Sequence, residues 1–309
     1  MSAPRAFSLE AAGPVHLEGT VRLLQRRPHN PVERWEQGRH IRPFRLGSQL
    51  VLLAVENAGP SDLPELKAIV LTGKGDPEPL VPRLRAMHGL DAQPFPLPVI
   101  SDAIPAAIGT MRSLRGVRPP RFDSLFEAIL NTVPFQQVSI DAAMAITVRL
   151  VERFGERVRW DGSTWAAWPA EEAIAQASLT ELRNTGLSTA KAHALSAAAR
   201  AILDGELDAV SLSDLPTAIA AERLRQFPGI GPWTSHLILL RGFGRMDAFP
   251  PGDAGICRGL GPVLGAQAAT PAKCEALAAR VPGVSGYLYY LSLAGQQLQR
   301  GLITPSPEG

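Results

Sequence analysis

Apolar positions change their rhythm partway along the chain. Before about residue 115, "VHLEGTVRLL" and "QLVLLAVENAG" read as strands, and "ELKAIVLTGKG" as a third that ends in turn chemistry. "DPEPLVPRLRAMHGL" places Leu80, Leu84 and Met87 at helical spacing and stops at Gly89. The Pro-rich "AQPFPLPVISDAIP" is expected to interrupt regular structure. Residues 1–115 are therefore read as one α+β domain, and residues 116–309 as mostly helical. In the second region Ser124 with Glu127 forms a capping-box pattern, and Ser139 opens a helix that Gly155 closes. Ser178 with Glu181 starts a short helix ending at Gly186, and Ser188 another ending near Gly205. Pro216 suits the start of a helix through "AAERLRQF", and the last long helix runs through "SGYLYYLSLAGQQLQ". β-branched alternation is scarce here, so this half is expected to be a helical array.

Composition narrows the function by exclusion. The 309 residues are 45% hydrophobic and 19% charged, with no run approaching the ~20 apolar residues that span a membrane. "MSAPRAFSLE" lacks an apolar signal segment, so a cytoplasmic protein is expected. Two cysteines, Cys257 and Cys274, cannot supply a disulfide framework, an iron–sulfur cluster or a four-cysteine zinc site. The six histidines show no ligand spacing. A net charge of +2 is a weak footprint for nucleic acid. "MRSLRGVRPPR" concentrates Arg112, Arg115, Arg118 and Arg121, and reads equally as a solvated linker or a phosphate contact.

"FPGIGPWTSH" is the sharpest local signal. A Gly/Pro turn is the only link between helices expected at 216–226 and 233–241. Gly229 and Gly231 can take positive φ and let another backbone approach, while Pro232 fits a first helical turn. The resulting bare helix N-terminus suits a phosphate oxygen, gripped without regard to base sequence. A plain αα-hairpin would look the same, but "MDAFPPGDAGI" follows. There Asp247 and Asp253 flank a Pro-Pro-Gly turn, and Asp253 is placed both to cap a helix and to stabilise positive charge developing on a sugar.

Together, "LRQFPGIGPWTSHLILLRGFGRMDAFPPGD" resembles the helix-hairpin-helix and Gly/Pro…Asp core of the DNA base-excision glycosylase superfamily, nearest its 3-methyladenine DNA glycosylase II branch. "FEAILNTVPFQQVSIDAAMAITVRLVERFG" resembles that branch's helix pair with a Gln-x-x-Ser loop, and "LTELRNTGLSTAKAHAL" its Gly-Leu-Ser…Lys-Ala segment. The resemblance covers most of 115–300. More loosely, the N-terminal part resembles the branch's TATA-binding-protein-like domain. The implied architecture is that domain over 1–115, then helical glycosylase subdomains over 116–309. The hairpin would lie at 216–242, with a catalytic cleft between the helical subdomains.

The implied activity is a monofunctional DNA glycosylase in base excision repair: a hydrolase that flips alkylated purines from damaged duplex DNA and leaves an abasic site. Asp253 matches the catalytic aspartate. A base such as 3-methyladenine carries positive charge and leaves without a general acid, so one carboxylate suffices. Trp233 occupies the position of the Schiff-base lysine of bifunctional relatives and cannot form that intermediate. It would instead line the base pocket as a stacking face, with Leu237 where the enteric form has tyrosine. Gln137 matches the wedge that fills the gap left by the flipped nucleotide, a position apolar in that enteric form. Gly229, Gly231 and Thr234 would bind DNA phosphate. A Na⁺ or K⁺ ion is implied on the main-chain carbonyls of Arg225, Phe227 and Ile230, with no other cofactor required. A monomer associated with the nucleoid is implied. Gly283 and Val284 replace the aromatic and Arg common late in the branch, Gly252 replaces a second acid, and Trp35 in "RRPHNPVERW" either packs or lines the pocket. Two other readings compete: a non-catalytic helix-hairpin-helix DNA-binding module, and a related glycosylase for deaminated or oxidised bases.

Overall fold

The computed structural model describes residues 5–306 except 75, 94, 267 and 268, so Gly75 of the third expected strand and Pro94 of the Pro-rich stretch lie outside the described residues. The first region holds β1 (Ala6–Leu9), α1 (Leu17–Gln25), β2 (Arg34–Glu36), β3 (Arg39–Leu46), β4 (Gln49–Asn57) and β5 (Leu66–Thr72). α2 (Val81–Met87), α3 (Leu97–Ala103) and α4 (Ile108–Ser113) follow. The strands form one antiparallel sheet in the order β1-β5-β4-β3-β2. The second region contains α5 (Leu125–Leu130), α6 (Ile140–Phe154), a hairpin β6 (Arg157–Trp160) and β7 (Ser163–Ala166), α7 (Glu171–Gln176), α8 (Leu179–Asn184) and α9 (Thr189–Leu203). α10 (Ala209–Asp214), α11 (Thr217–Arg225), α12 (Pro232–Phe243), α13 (Ala254–Val263), α14 (Pro271–Arg280) and α15 (Gly286–Gln299) complete it. No helix among the described residues is long and apolar enough to cross a membrane.

Several expected elements differ. "VHLEGTVRLL" forms α1 rather than a strand: Leu17, Val21 and Leu24 bury one helical face, and the His16 ring accepts the Gly19 N–H at 2.9 Å as a cap. A ten-residue apolar run fits both periods, and packing against α15 selects the helix. Part of the Pro-rich stretch also folds, as α3. β3 escaped notice because "RHIRPFRL" carries three arginines and a proline. Pro43 is tolerated because β2 pairs only as far as Ile41. The helical region is not purely helical. β6 and β7 turn at Asp161 and Gly162, both at positive φ, the dipeptide that a two-residue hairpin favours. Gly231 also departs from expectation, with φ −92, whereas Gly229 does take φ +74. A Cβ on Gly229 would stand 2.5 Å from that of Ala194, so this turn sits directly on α9.

Alternation along β4 sends Val51, Leu53 and Val55 into the main core and Leu52 and Ala54 into a second, smaller cluster beneath Trp165 of the hairpin. The main core runs on through α5, α9, α12, α13 and α15 without a break. Its polar centre is Arg42 on β3, 4% exposed at the side chain. The guanidinium donates to Glu33 at 2.7 Å and in a fork to Glu127 at 3.0 and 2.9 Å. Glu127 therefore does not complete the expected capping box, although the Ser124 hydroxyl still accepts its N–H. Burial alone would raise the Glu33 carboxyl, but Arg42, His40 and Trp168 outweigh it and bring the pKa down to about 2. Burial, helped by His40, takes His88 down to about 3.

Both groups bind fewer protons folded than unfolded. Their stabilisation is complete above the ordinary values of 4.5 and 6.5, and drains away as pH falls toward about 2 and 3. Glu127 works the other way between about pH 7 and 4.5, because burial raises its carboxyl to about 7. The net fall of the urea midpoint is therefore expected below pH 4.5 and down to pH 3. Glu33→Gln should cost about 3 kcal/mol at pH 7 and flatten the portion below pH 4.5. A midpoint independent of pH over this range would contradict the assignment.

Candidate nucleic-acid interface and active site

A cleft of about 1320 Å³ opens between the α11–α12 turn, the start of α13, the loop before α6 and the inner face of α15. Trp233, Leu237, Asp253 and Gln137 all line it, with Gly229, Gly231, Thr234, Arg225, Phe227 and Ile230. One cleft thus gathers every residue singled out for chemistry, pocket or wedge. Asp247 is exposed outside it, Trp35 packs on the main core, and Gly283 and Val284 lie in a 3-10 turn elsewhere.

Asp253 caps α13. Its Oδ1 accepts the Ile256 N–H at 2.9 Å, while the Trp233 indole N–H donates to Oδ2 at 2.7 Å. Trp233 is half-buried on the first turn of α12, so the two helix N-termini meet at one carboxylate. Leu237, one turn after Trp233, is 1% exposed and contributes an apolar wall.

At the α12 N-terminus Gly231 provides no side-chain cap. Among the described residues no hydrogen bond uses the N–H groups of Gly231, Trp233 or Thr234. Nothing stands within 4 Å of a Cβ placed on Gly231, so the approach to these donors is open. The Thr234 side chain is not part of that open face: its hydroxyl, 2% exposed, accepts from Gln136 Nε2 at 2.9 Å. Gln136 donates again to Gly229 O at 2.8 Å, tying the loop before α6 to the turn. Lys191 on α9 holds the same loop from behind, its ammonium 3.0 Å from Pro134 O and 2.6 Å from Gln136 O. Desolvation lowers its pKa. Between these fastenings Gln137 is exposed, makes no described hydrogen bond and has φ +53, a left-handed conformation uncommon outside glycine.

Sequence reasoning passed over the far wall. Arg26, at the C-terminus of α1, also has positive φ (+57) and lies in the cleft, its guanidinium 4.1 Å from the Phe135 ring centroid. Tyr289 on α15 lines the cleft too. Its neighbours do not: Tyr290 donates to Pro120 O at 2.9 Å and Tyr287 to Gln93 O at 2.7 Å. Helical spacing could have separated them, since 289 and 293 share the face that reaches the cleft. Two of the four arginines in the arginine-rich stretch are engaged within the fold. Arg118 is fully buried and donates to Pro14 O at 3.1 Å and Ala92 O at 2.7 Å, and Arg115 pairs with Asp62 at 3.1 Å.

The model of the HhH-GPD superfamily base excision DNA repair protein matches residues 130–282. Over 205 residues, 66% of this chain and 67% of the relative, the sequence is 29% identical to a DNA-3-methyladenine glycosylase of Bacillus subtilis. It is 31% identical over 160 residues to DNA-3-methyladenine glycosylase 2 of Escherichia coli, covering 52% of this chain and about half (56%) of that one. Among solved structures, a 3-methyladenine DNA-glycosylase from Archaeoglobus fulgidus has the same fold, with TM-score 0.73 and 23% identity, covering 95% of this chain and 99% of that chain.

Because Asp253 is a helix cap as well as a cleft residue, the two roles separate by substitution. Asp253→Asn keeps an acceptor for the Ile256 N–H and should leave stability within about 0.5 kcal/mol. Asp253→Ala should lose about 1 kcal/mol in urea unfolding. Equal stability of the two variants would show that the cap contributes nothing.

Proposed function

The chain belongs to the HhH-GPD superfamily of base excision DNA repair proteins, and from that premise we propose that it is a monofunctional DNA glycosylase. It flips alkylated purines of the 3-methyladenine class out of duplex DNA and hydrolyses their N-glycosidic bond, leaving an abasic site. The observation carrying this reading is the Asp253 carboxylate, held at 2.7 Å by the Trp233 indole in the cleft that also contains the open α12 N-terminus. A protein that merely grips DNA has no use for an anion placed there.

In this reading the α12 amides hold a phosphate on one side of the lesion, and Gln137 enters the stack on the other. Gln136 and Lys191 make the grip and the wedge one rigid unit. The extruded base enters between Trp233, Leu237 and Tyr289. As the bond to C1′ breaks, the sugar gains oxocarbenium character, and Asp253 stabilises that charge and orients the attacking water. Trp233 offers no amine, so no Schiff base forms and the strand stays intact.

The implied Na⁺ or K⁺ ion belongs to the same proposal. Its donors fit: neutral main-chain oxygens suit a hard cation, and no described hydrogen bond ends on Arg225 O or Ile230 O. Phe227 O accepts the Ile230 N–H at 3.2 Å and keeps a second lone pair. Bound there, the ion would add positive charge beside the phosphate. The boundary near residue 115, a TATA-binding-protein-like identity for the N-terminal unit, and a catalytic cleft between two helical subdomains are further parts of the proposal. The antiparallel sheet with α1 on one face supports the second of these.

Incubated with methylated duplex DNA, the protein should release methylated purines and leave a strand that breaks only on alkali treatment. Asp253→Asn should lose excision on the order of 100-fold or more while binding an abasic-site duplex as before. Strand scission without alkali, or undiminished excision by Asp253→Asn, would overturn the reading.

A further inference from the structure

Tyr289, which lines the cleft, bonds two buried cations that the mechanism above does not use, Arg26 of the cleft lining and Arg241 behind it. Arg26 and Arg241 are 5% and 0% exposed. Among the described residues all their hydrogen-bond partners are neutral. Arg26 donates to Asn131 O at 2.8 Å and to Tyr289 Oη at 3.5 Å. Arg241 donates to Leu23 O at 2.8 Å and to the same Tyr289 Oη at 3.2 Å. A guanidinium has no acceptor atom and stays protonated in a protein. The phenolic oxygen must therefore accept both bonds, which occupies its two lone pairs. Its own hydrogen is left over, and no described hydrogen bond uses the Tyr289 O–H as a donor. Tyr289 lines the cleft with Trp233 and Asp253.

We propose that Tyr289, polarised by Arg26 and Arg241, is the proton donor to a departing base, and that it extends excision from cationic to neutral purine lesions. The inference rests on the glycosylase reading of this cleft. A cationic base leaves neutral and needs no donor, but a neutral one leaves with the electron pair of the C1′–N9 bond as an anion. Tyr289 passes its proton to an acceptor atom of that anion. Water bonds to C1′ and releases a proton to solvent, and solvent returns a proton to the tyrosinate. Between those steps the tyrosinate is held by two guanidiniums. The same pair already lowers the Tyr289 pKa: burial works to raise it, and Arg241 and Arg26 outweigh burial. The cleft thus opposes a carboxylate for the sugar to an acid for the base.

Single-turnover excision from duplexes containing hypoxanthine, a neutral purine lesion, or 7-methylguanine, a cationic one, tests this directly. The wild type should release both. Tyr289→Phe should lower hypoxanthine excision on the order of 100-fold more than it lowers 7-methylguanine excision. Arg26→Gln should shift the ratio the same way, since one polarising charge is gone. Equal losses on both substrates would reduce Tyr289 to a packing residue and overturn the inference, as would a Tyr289→Phe variant that retains hypoxanthine excision. Wild type that releases 7-methylguanine but not hypoxanthine would sink this inference alone. Release of neither would sink the glycosylase reading itself.

Discussion

The fork between Arg42 and Glu127 is the contact on which the arrangement of the molecule depends. It ties β3 of the sheet to the first turn of α5, and α5 leads within one turn to Asn131 and the loop that carries Gln136 and Gln137. Arg42 is almost wholly buried, where an unpaired charge would cost several kcal/mol. Glu33 and Glu127 offset that cost only if β3 and α5 keep their relative position. The ion cluster therefore acts as a register pin: its value lies less in net stability than in how narrowly it specifies the geometry. Loss of one partner would leave the others uncompensated, so the sheet and the loop before α6 are coupled through a few atoms.

From that pin the cleft is assembled by fastenings of the same kind. Gln136 reaches the α11–α12 turn, Lys191 reaches back to Gln136, and Gly229 lies against Ala194 on α9. Each of these fastenings removes freedom from a segment that, in the proposed reaction, meets a rigid duplex. Two residues in strained left-handed backbone, Arg26 and Gln137, point to the price of this arrangement. Both line the cleft, where local strain is commonly stored.

Electrostatics then divides the cleft. Asp253 sits where two helix N-termini converge, its anion supported by an indole N–H and a backbone N–H. Across from it, Arg26 and Arg241 share one tyrosine oxygen with no carboxylate among their hydrogen-bond partners. In the proposed reaction, a nucleotide between them meets a surface that favours positive charge on its sugar and negative charge on its base. That polarity matches the separation of charge as an N-glycosidic bond breaks.

Much of this was legible in the chain. Serine caps at 124, 139, 178 and 188, closing glycines, and the Gly/Pro turn before α12 are local signals, because a helix terminus must satisfy its own amides with nearby residues. Asp253 was legible for the same reason, as a cap whose side chain has little choice of position. The Asp-Gly turn of β6–β7 was equally local and went unread. What tertiary structure alone decided is whatever depends on partners distant in sequence. α1 is a helix because α15 covers it, and β3 is a strand because Glu33 and Glu127 neutralise Arg42. Thr234 turns inward because Gln136 claims its hydroxyl, and one tyrosine of three enters the cleft because the other two find carbonyls elsewhere. Caps and turns are settled within a few residues by backbone hydrogen bonding. Burial of charge, and the direction in which a polar group points, are settled by whichever distant atoms the fold brings within 3 Å.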